Sequence, residues 1–276
     1  MPLIKSSNRD LLKSLIRING WLKYEDFILM QYFLEKQGQS ENSGNLLEIG
    51  VYQGKSSLLI GKYRSTTELF EVCDIFDGMS DSENLLEISQ SYNNLSRDIF
   101  EKNLVEHLGY LPVIHECKSK DLPDRLVSKS FRFIHLDGSH LYDHVQFDLS
   151  LATKLLKDNF SIIVMDDFRA AHTPGVAAVF WESIISKKLV PIVLTQSKAY
   201  LAREISETRI QEIFDFLALQ DFAPKYESFL GIKCIRVTNS RELPESHFKR
   251  ILRSLAPPIL MDLFRKLRNI SFFGSQ

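Results

Sequence analysis

At 276 residues, with 44% hydrophobic and 25% charged side chains, the chain has the balance of an ordinary globular protein and the length for a full core. That excludes a disordered or collagen-like polymer. Lys and Arg number 34 against 35 Asp and Glu, so the net charge of −1 offers no overall field for a polyanion, and nucleic-acid binding is not expected. Cys73, Cys117 and Cys234 are odd in number and share no C-x-x-C spacing, so they read as reduced, buried thiols. No uncharged apolar run reaches the roughly 18 residues of a membrane span, and Met1–Lys5 leads into no apolar h-region with a small-residue cleavage site, so no leader peptide is expected. The expected compartment is the cytoplasm.

In chain order, residues 8–38 predict two helices, the second carrying Phe27, Met30 and Leu34 at helical spacing, and a polar stretch follows to Gly44. Residues 1–44 are therefore a helical cap and linker. Short apolar runs then alternate with helical patterns: Leu46–Ile49, Leu69–Phe76, Leu111–His115, Phe131–Leu136 and Ser161–Met165. Such alternation predicts βαβ units on a parallel sheet. Val145, Leu149, Ala152 and Leu156 mark the crossover helix between the last two runs. After Gly175 come a helix to about Lys187, strands at Pro191–Leu194 and Tyr200–Leu201, a helix over 207–219 and a strand near Ile232–Val237. An antiparallel strand is expected at the sheet edge. Residues 45–240 thus form one α/β domain, a three-layer Rossmann-like sheet. The tail, 241–276, is basic and amphipathic, with Lys249, Arg250, Arg253, Arg265, Lys266 and Arg268 against Asp262 alone between His247 and Arg268. It reads as a solvated helix to which peripheral contact with an anionic membrane surface is physically open.

The most informative stretch is Leu46-Leu47-Glu48-Ile49-Gly50-Val51-Tyr52-Gln53-Gly54-Lys55-Ser56-Ser57, a strand that runs through two glycines into a helix. This places backbone amides at the carboxyl edge of the sheet, facing a ligand. The spacing is not the dinucleotide G-x-G-x-x-G, and G-x-x-x-G-K-S is one residue short of a phosphate-cradling P-loop. A third possibility uses Glu48: an acid at the strand end suits a positively charged, methionine-type cofactor. Glycines that merely allow a tight turn are the bland alternative. Asp74, 24 residues after Gly50 at the end of the next strand, lies near the distance at which an acid reaches a ribose hydroxyl.

A second constellation ends two further strands, at Asp137-Gly138-Ser139-His140 and at Asp166-Asp167-Phe168. In a doubly wound sheet these share one crevice with Gly50 and Asp74. Asp137, Asp166 and Asp167, converging without cysteine, favour a hard divalent ion, magnesium or manganese. Helix capping or turn chemistry is the alternative for Asp166-Asp167. His135, inside a strand, reads as a hydrogen-bonded core residue, and His144 and His172 as surface or loop histidines.

The order E-x-G-x-x-x-G-x-S, Asp-Ile-Phe-Asp-Gly, Phe-Ile-His-Leu-Asp-Gly-Ser-His-x-Tyr and Ile-Val-Met-Asp-Asp-Phe, followed by Pro174-Gly175-Val176, resembles the class I S-adenosylmethionine-dependent methyltransferases. Within them it is similar to the metal-dependent macrocin O-methyltransferase and cephalosporin-hydroxylase-like group, over about residues 45–185. The resemblance implies that Glu48, Gly50, Gly54 and Ser56 line the methionine side of S-adenosylmethionine, that Asp74 holds the ribose and that Ser119 lies near the adenine. It implies a metal on Asp137, Asp166 and Asp167. One departure stands out: relatives often carry a second acid where this chain has Ser139, which leaves His140 as the candidate base.

The implied reaction is methyl transfer to a hydroxyl of a small molecule or sugar, the metal acidifying that hydroxyl and His140 taking its proton. Two other classes stay open. A P-loop-like nucleotide hydrolase would use Lys55 and Ser56, and a non-catalytic protein would keep the fold for partner binding. A homo-oligomer is compatible with either.

Overall fold

The computed structural model describes residues 6–38, 43–76 and 95–243. Among the described residues nine strands form one sheet: β1 Asn45–Ile49, β2 Phe70–Asp74, β3 Val113–Glu116, β4 Phe131–Leu136, β5 Ile162–Met165, β6 Val190–Leu194, β7 Ala199–Ala202, β8 Lys225–Phe229 and β9 Ile232–Arg236. Their spatial order is β3-β2-β1-β4-β5-β7-β6-β9-β8. Strands β1 to β5 run parallel, β7 lies antiparallel between β5 and β6, and β8 is an antiparallel edge strand.

The helices are α1 Ser6–Arg17, α2 Tyr24–Gly38, α3 Lys55–Gly61, α4 Arg97–Leu108, α5 Tyr142–Leu155, α6 Pro174–Ile185 and α7 Glu207–Leu219. Alternation along the strands explains why helices cover both faces, because successive side chains point to opposite sides. Leu46, Val72, Phe133 and Val164 meet Phe27, Met30 and Leu34 of α2, Leu58 of α3 and Ile213 of α7 in one buried cluster. Leu47, Ile134, Ile163 and Met165 meet Leu149 and Ala152 of α5 and Val179 and Phe180 of α6 in the other. The helical cap expected for residues 1–44 is thus part of the sheet's own covering layer in its second helix.

The chain leaves β1 outward through β2 and β3 and returns to β4 beside β1. That reversal opens a crevice outside the carboxyl ends of β1 and β4, where ligands bind in open α/β sheets. Two elements had gone unread in the sequence, α4 and β8. The antiparallel strand expected at an edge is found twice, once at the edge as β8 and once inside the sheet as β7. Among the described residues no helix is long and apolar enough to cross a membrane. The basic tail beyond residue 243 lies outside the described residues.

Candidate active site

Gly50 holds the crevice together. Its φ is +83°, and a Cβ there would lie 2.0 Å from the Asp137 carbonyl oxygen and 2.7 Å from Gly138 Cα. Only glycine lets the ends of β1 and β4 touch. Gly54, φ +87°, caps α3 against Phe100 and Leu104 of α4, where a Cβ would sit 3.0 and 3.1 Å from their side chains. Ser56 is half-buried in the first turn of α3.

Asp74 is bound to this loop. Its Oδ2 accepts from the amides of Val51 at 2.7 Å and Tyr52 at 3.3 Å, and its Oδ1 accepts from Phe76 at 2.8 Å. Burial pushes its pKa up, against the pull of those amides. A carboxylate has about four acceptor sites, so capacity for a hydroxyl remains. The same bonds remove the P-loop reading, since the amides a phosphate would need already hold an anion. Lys55 donates instead to the Gly20 carbonyl at 2.6 Å, in the segment between α1 and α2.

Glu48, expected beside the methionine portion of the cofactor, has its carboxyl engaged by protein partners inside the fold. It is 0% exposed. Its side chain points to the α2–α3 face, where Ser57 of α3 donates to Oε2 and His135 Nδ1 lies 2.8 Å from Oε1. Register puts Glu48 directly opposite His135, so the pair interrupts the apolar alternation of β1 and β4 at one shared point. Ser119 opens a 3-10 turn after β3, and its side chain bonds the buried carboxyl of Asp148 on α5. Burial raises the Asp148 pKa to about 7, with Ser119 opposing the rise.

The acid constellation is assembled differently from the expected one. One donor atom each from His135, Asp137 and Asp166 lie within 4.8 Å of one another, and Asp167 is not among that group. Asp167 has φ +50° and turns its Oδ2 toward His140 Nε2, 3.6 Å away. Its amide donates to Asp166 Oδ1 at 2.8 Å. His140 also faces His172 edge-on, with ring centroids 6.4 Å apart. Ser139, in the position of the relatives' second acid, pairs with His144 Nδ1 at 2.9 Å and accepts from the Leu141 amide.

Lys198 is the functional residue that the sequence reading missed. It is 1% exposed, and its ammonium donates to Asp166 Oδ2 and lies 3.1 Å from His135 Nε2. Burial would lower its pKa, but Asp166, Asp137 and Asp26 around it raise it above the ordinary value. Burial would likewise raise Asp166, yet the Lys198 ammonium holds its carboxyl below the usual range. Asp137 goes the other way: burial first, then the Asp166 charge, raise it well above its ordinary value. Burial and the Asp166 charge thus favour the protonated form of Asp137, while the Lys198 ammonium favours the ionised form of Asp166. Asp26 of α2 backs the lysine, accepting from Ser197 Oγ at 2.8 Å and Tyr200 Oη at 2.9 Å. The only sequence signal was a single lysine just before a four-residue apolar strand, which means nothing until β7 is known to pair with β5.

A divalent metal on three carboxylates does not fit these residues. Asp167 is turned away, both oxygens of Asp166 accept protein hydrogen bonds, and both nitrogens of His135 are engaged. An imidazole that donates from one nitrogen and accepts at the other has no lone pair left for a metal.

Residues 47–168 match the family described as Methyltransferase domain. Among solved structures the chain is similar to the O-methyltransferase NovP, at 18% identity and TM-score 0.54, over 65% of this chain and 79% of that one. It is similar to cofactor-bound Rv0187 from MTB, at 11% identity and TM-score 0.52, over 74% and 93%. A protein from Corynebacterium glutamicum gives 13% identity and TM-score 0.50, over 74% and 93%. At such identities the likeness is one of fold. No curated protein sequence matches the chain. The glycine loop, Asp74, Asp137 and the Asp166-Asp167 pair all fall inside the segment that matches the methyltransferase-domain family, and the sheet that carries them has the fold shared with these solved structures.

Proposed function

We propose that the protein transfers a methyl group from S-adenosylmethionine to a hydroxyl oxygen of a small molecule or sugar. The observation that carries this reading is the Gly50–Gly54 loop with its amides already bound to Asp74, in a crevice that also holds Asp137, Asp166 and Asp167. Such a floor is fitted to a cationic ligand and repels a triphosphate.

When bound, S-adenosylmethionine supplies an activated methyl group on a positively charged sulfur. The chain's own residues do the rest. Gly50, Gly54 and Ser56 shape the loop beside the methionine portion, Asp74 accepts from a ribose hydroxyl, and Ser119 borders the adenine side. His140 would take the proton of the acceptor hydroxyl during the transfer, its Nε2 facing Asp167. Asp167, 3.6 Å from that nitrogen, stabilises the imidazolium that results. Asp137 stands at the crevice end of β4, beside the acceptor.

Divalent-metal assistance by magnesium or manganese is a second reading. It is favoured by the convergence of His135, Asp137 and Asp166 and opposed by Lys198, which such an ion would have to displace.

Calorimetry with S-adenosylhomocysteine and with ATP tests the main reading. Affinity on the order of micromolar is expected for the first, about −8 kcal/mol, and none for the second. Asp74→Ala is expected to weaken the first by roughly 1–3 kcal/mol through lost charge-assisted bonds. Binding of ATP without binding of S-adenosylhomocysteine would overturn the proposal.

A further inference from the structure

We propose that Lys198 is the resident cation of the acid cluster, a positioning residue that stands where a divalent ion would otherwise be held. Lysine is almost never fully buried unless paired, and here the ammonium lies between Asp166 Oδ2 and His135 Nε2. Its place is built in. The Lys198 amide donates to Thr195 Oγ1 at 2.8 Å and its carbonyl accepts from the Thr195 amide at 2.9 Å, which fixes the turn into β7. Ser197 beside it and Tyr200 two residues further on are both tied to Asp26 of the cap helix.

His135 supplies the second line of argument. With Glu48 on its Nδ1, the imidazole presents Nε2 to a cation, which is the carboxylate–histidine arrangement found behind metal ions. In this chain the cation it faces is an ammonium. A third connection leads to the proposed base: Lys198 orients Asp166, whose other oxygen holds the Asp167 amide, and the Asp167 carboxylate borders His140. Lys198 is itself buried, and it acts through Asp166 on Asp167 and, through Asp167, on His140.

Replacing Lys198 by a short apolar side chain removes the ammonium and leaves the nitrogen of His135 and the oxygens of Asp137 and Asp166 directed at one space. That donor set fits a divalent ion. The inference rests on the methyl-transfer reading only for the use to which the cluster is put. A titration with Mn²⁺ alone needs no methyl donor, so its failure is distinguishable from a failure to bind S-adenosylhomocysteine.

The test is Mn²⁺ binding to the full chain, followed by electron paramagnetic resonance and calorimetry, in the parent and in Lys198→Ala. The parent is expected to take up no stoichiometric Mn²⁺ below about 1 mM, and the variant to bind one ion at least about tenfold more tightly. Lys198→Met, which keeps the apolar stem, replaces the alanine variant if that fails to fold. The parent titration decides independently of either. One Mn²⁺ bound by the parent in the micromolar range and lost in Asp137→Asn overturns the proposal. So does a folded Lys198 variant that gains no affinity for the ion.

Discussion

His140 owes its position to a glycine on another helix. A Cβ at Gly175 would lie 2.7 Å from the His140 carbonyl oxygen and 2.7 Å from the Tyr142 amide, so the start of α6 packs on the 140–142 turn only because nothing projects there. The imidazole is thereby held between Asp167 and His172. Ser139 is spent on turn stabilisation, which leaves no second carboxylate at this point to take a proton. His140→Ala is expected to lower kcat by roughly 10²–10⁴. Affinity for S-adenosylhomocysteine should hardly change, because the imidazole borders the acceptor and not the glycine loop. The variant should also lose the rise in rate with pH that a neutral-form base gives. A full-rate variant would move the proton to solvent or to another group.

Among the elements, β1, β4 and β5 were legible in the sequence to within a residue, because strands buried on both faces read as mainly apolar runs bounded by polar turns, here interrupted only by Glu48, Arg132 and His135. Edge strand β8, Lys225–Phe229, was not, since its burial is slight and its residues are mostly polar. Helix α4 buries only Phe100 and Leu104, too few to set a period. Lys198 could not be placed for a different reason: the pairing of β7 with β5 is non-local, and nothing in either segment announces it. A second non-local tie sits at the amino ends of the central parallel strands. Arg132 of β4 donates to both oxygens of Glu68, at 2.7 and 2.9 Å, and also reaches the Tyr63 carbonyl and Gln37 at the end of α2. This clamp joins the cap helix, the α3–β2 connection and β4. Glu68→Ala leaves a buried guanidinium without its counterion and is expected to cost about 3–5 kcal/mol, measured by urea unfolding. Adding Arg132→Met to it should restore most of the loss. If the double variant is no better than the single one, the clamp works by shape and not by charge.

For the molecule as a whole, the net charge of −1 counts every carboxyl as ionised, but the fold does not keep them so. Burial pushes both Asp26, in the first turn of the cap helix α2, and Asp148, on the other face of the sheet, up to about 7. In the unfolded chain the same groups titrate near the ordinary value of about 3.9. Between those limits the folded protein binds more protons than the unfolded one, so stability falls as pH rises. The favourable contribution is complete below about pH 4 and gone above about pH 7. Asp148 isolates the effect, because its partner is the neutral hydroxyl of Ser119 and it is not part of the Lys198 cluster. Asp148→Asn removes the ionisation while keeping an acceptor for Ser119. The variant should gain stability relative to the parent by up to about 1.4 kcal/mol per pH unit across the window, with a constant difference below and above it. Urea unfolding at half-unit intervals from pH 4 to pH 8 measures this directly. A difference between the two proteins that does not change with pH would mean that the folded state leaves the Asp148 carboxyl as it is in water, and would place solvent in contact with it beside Ser119.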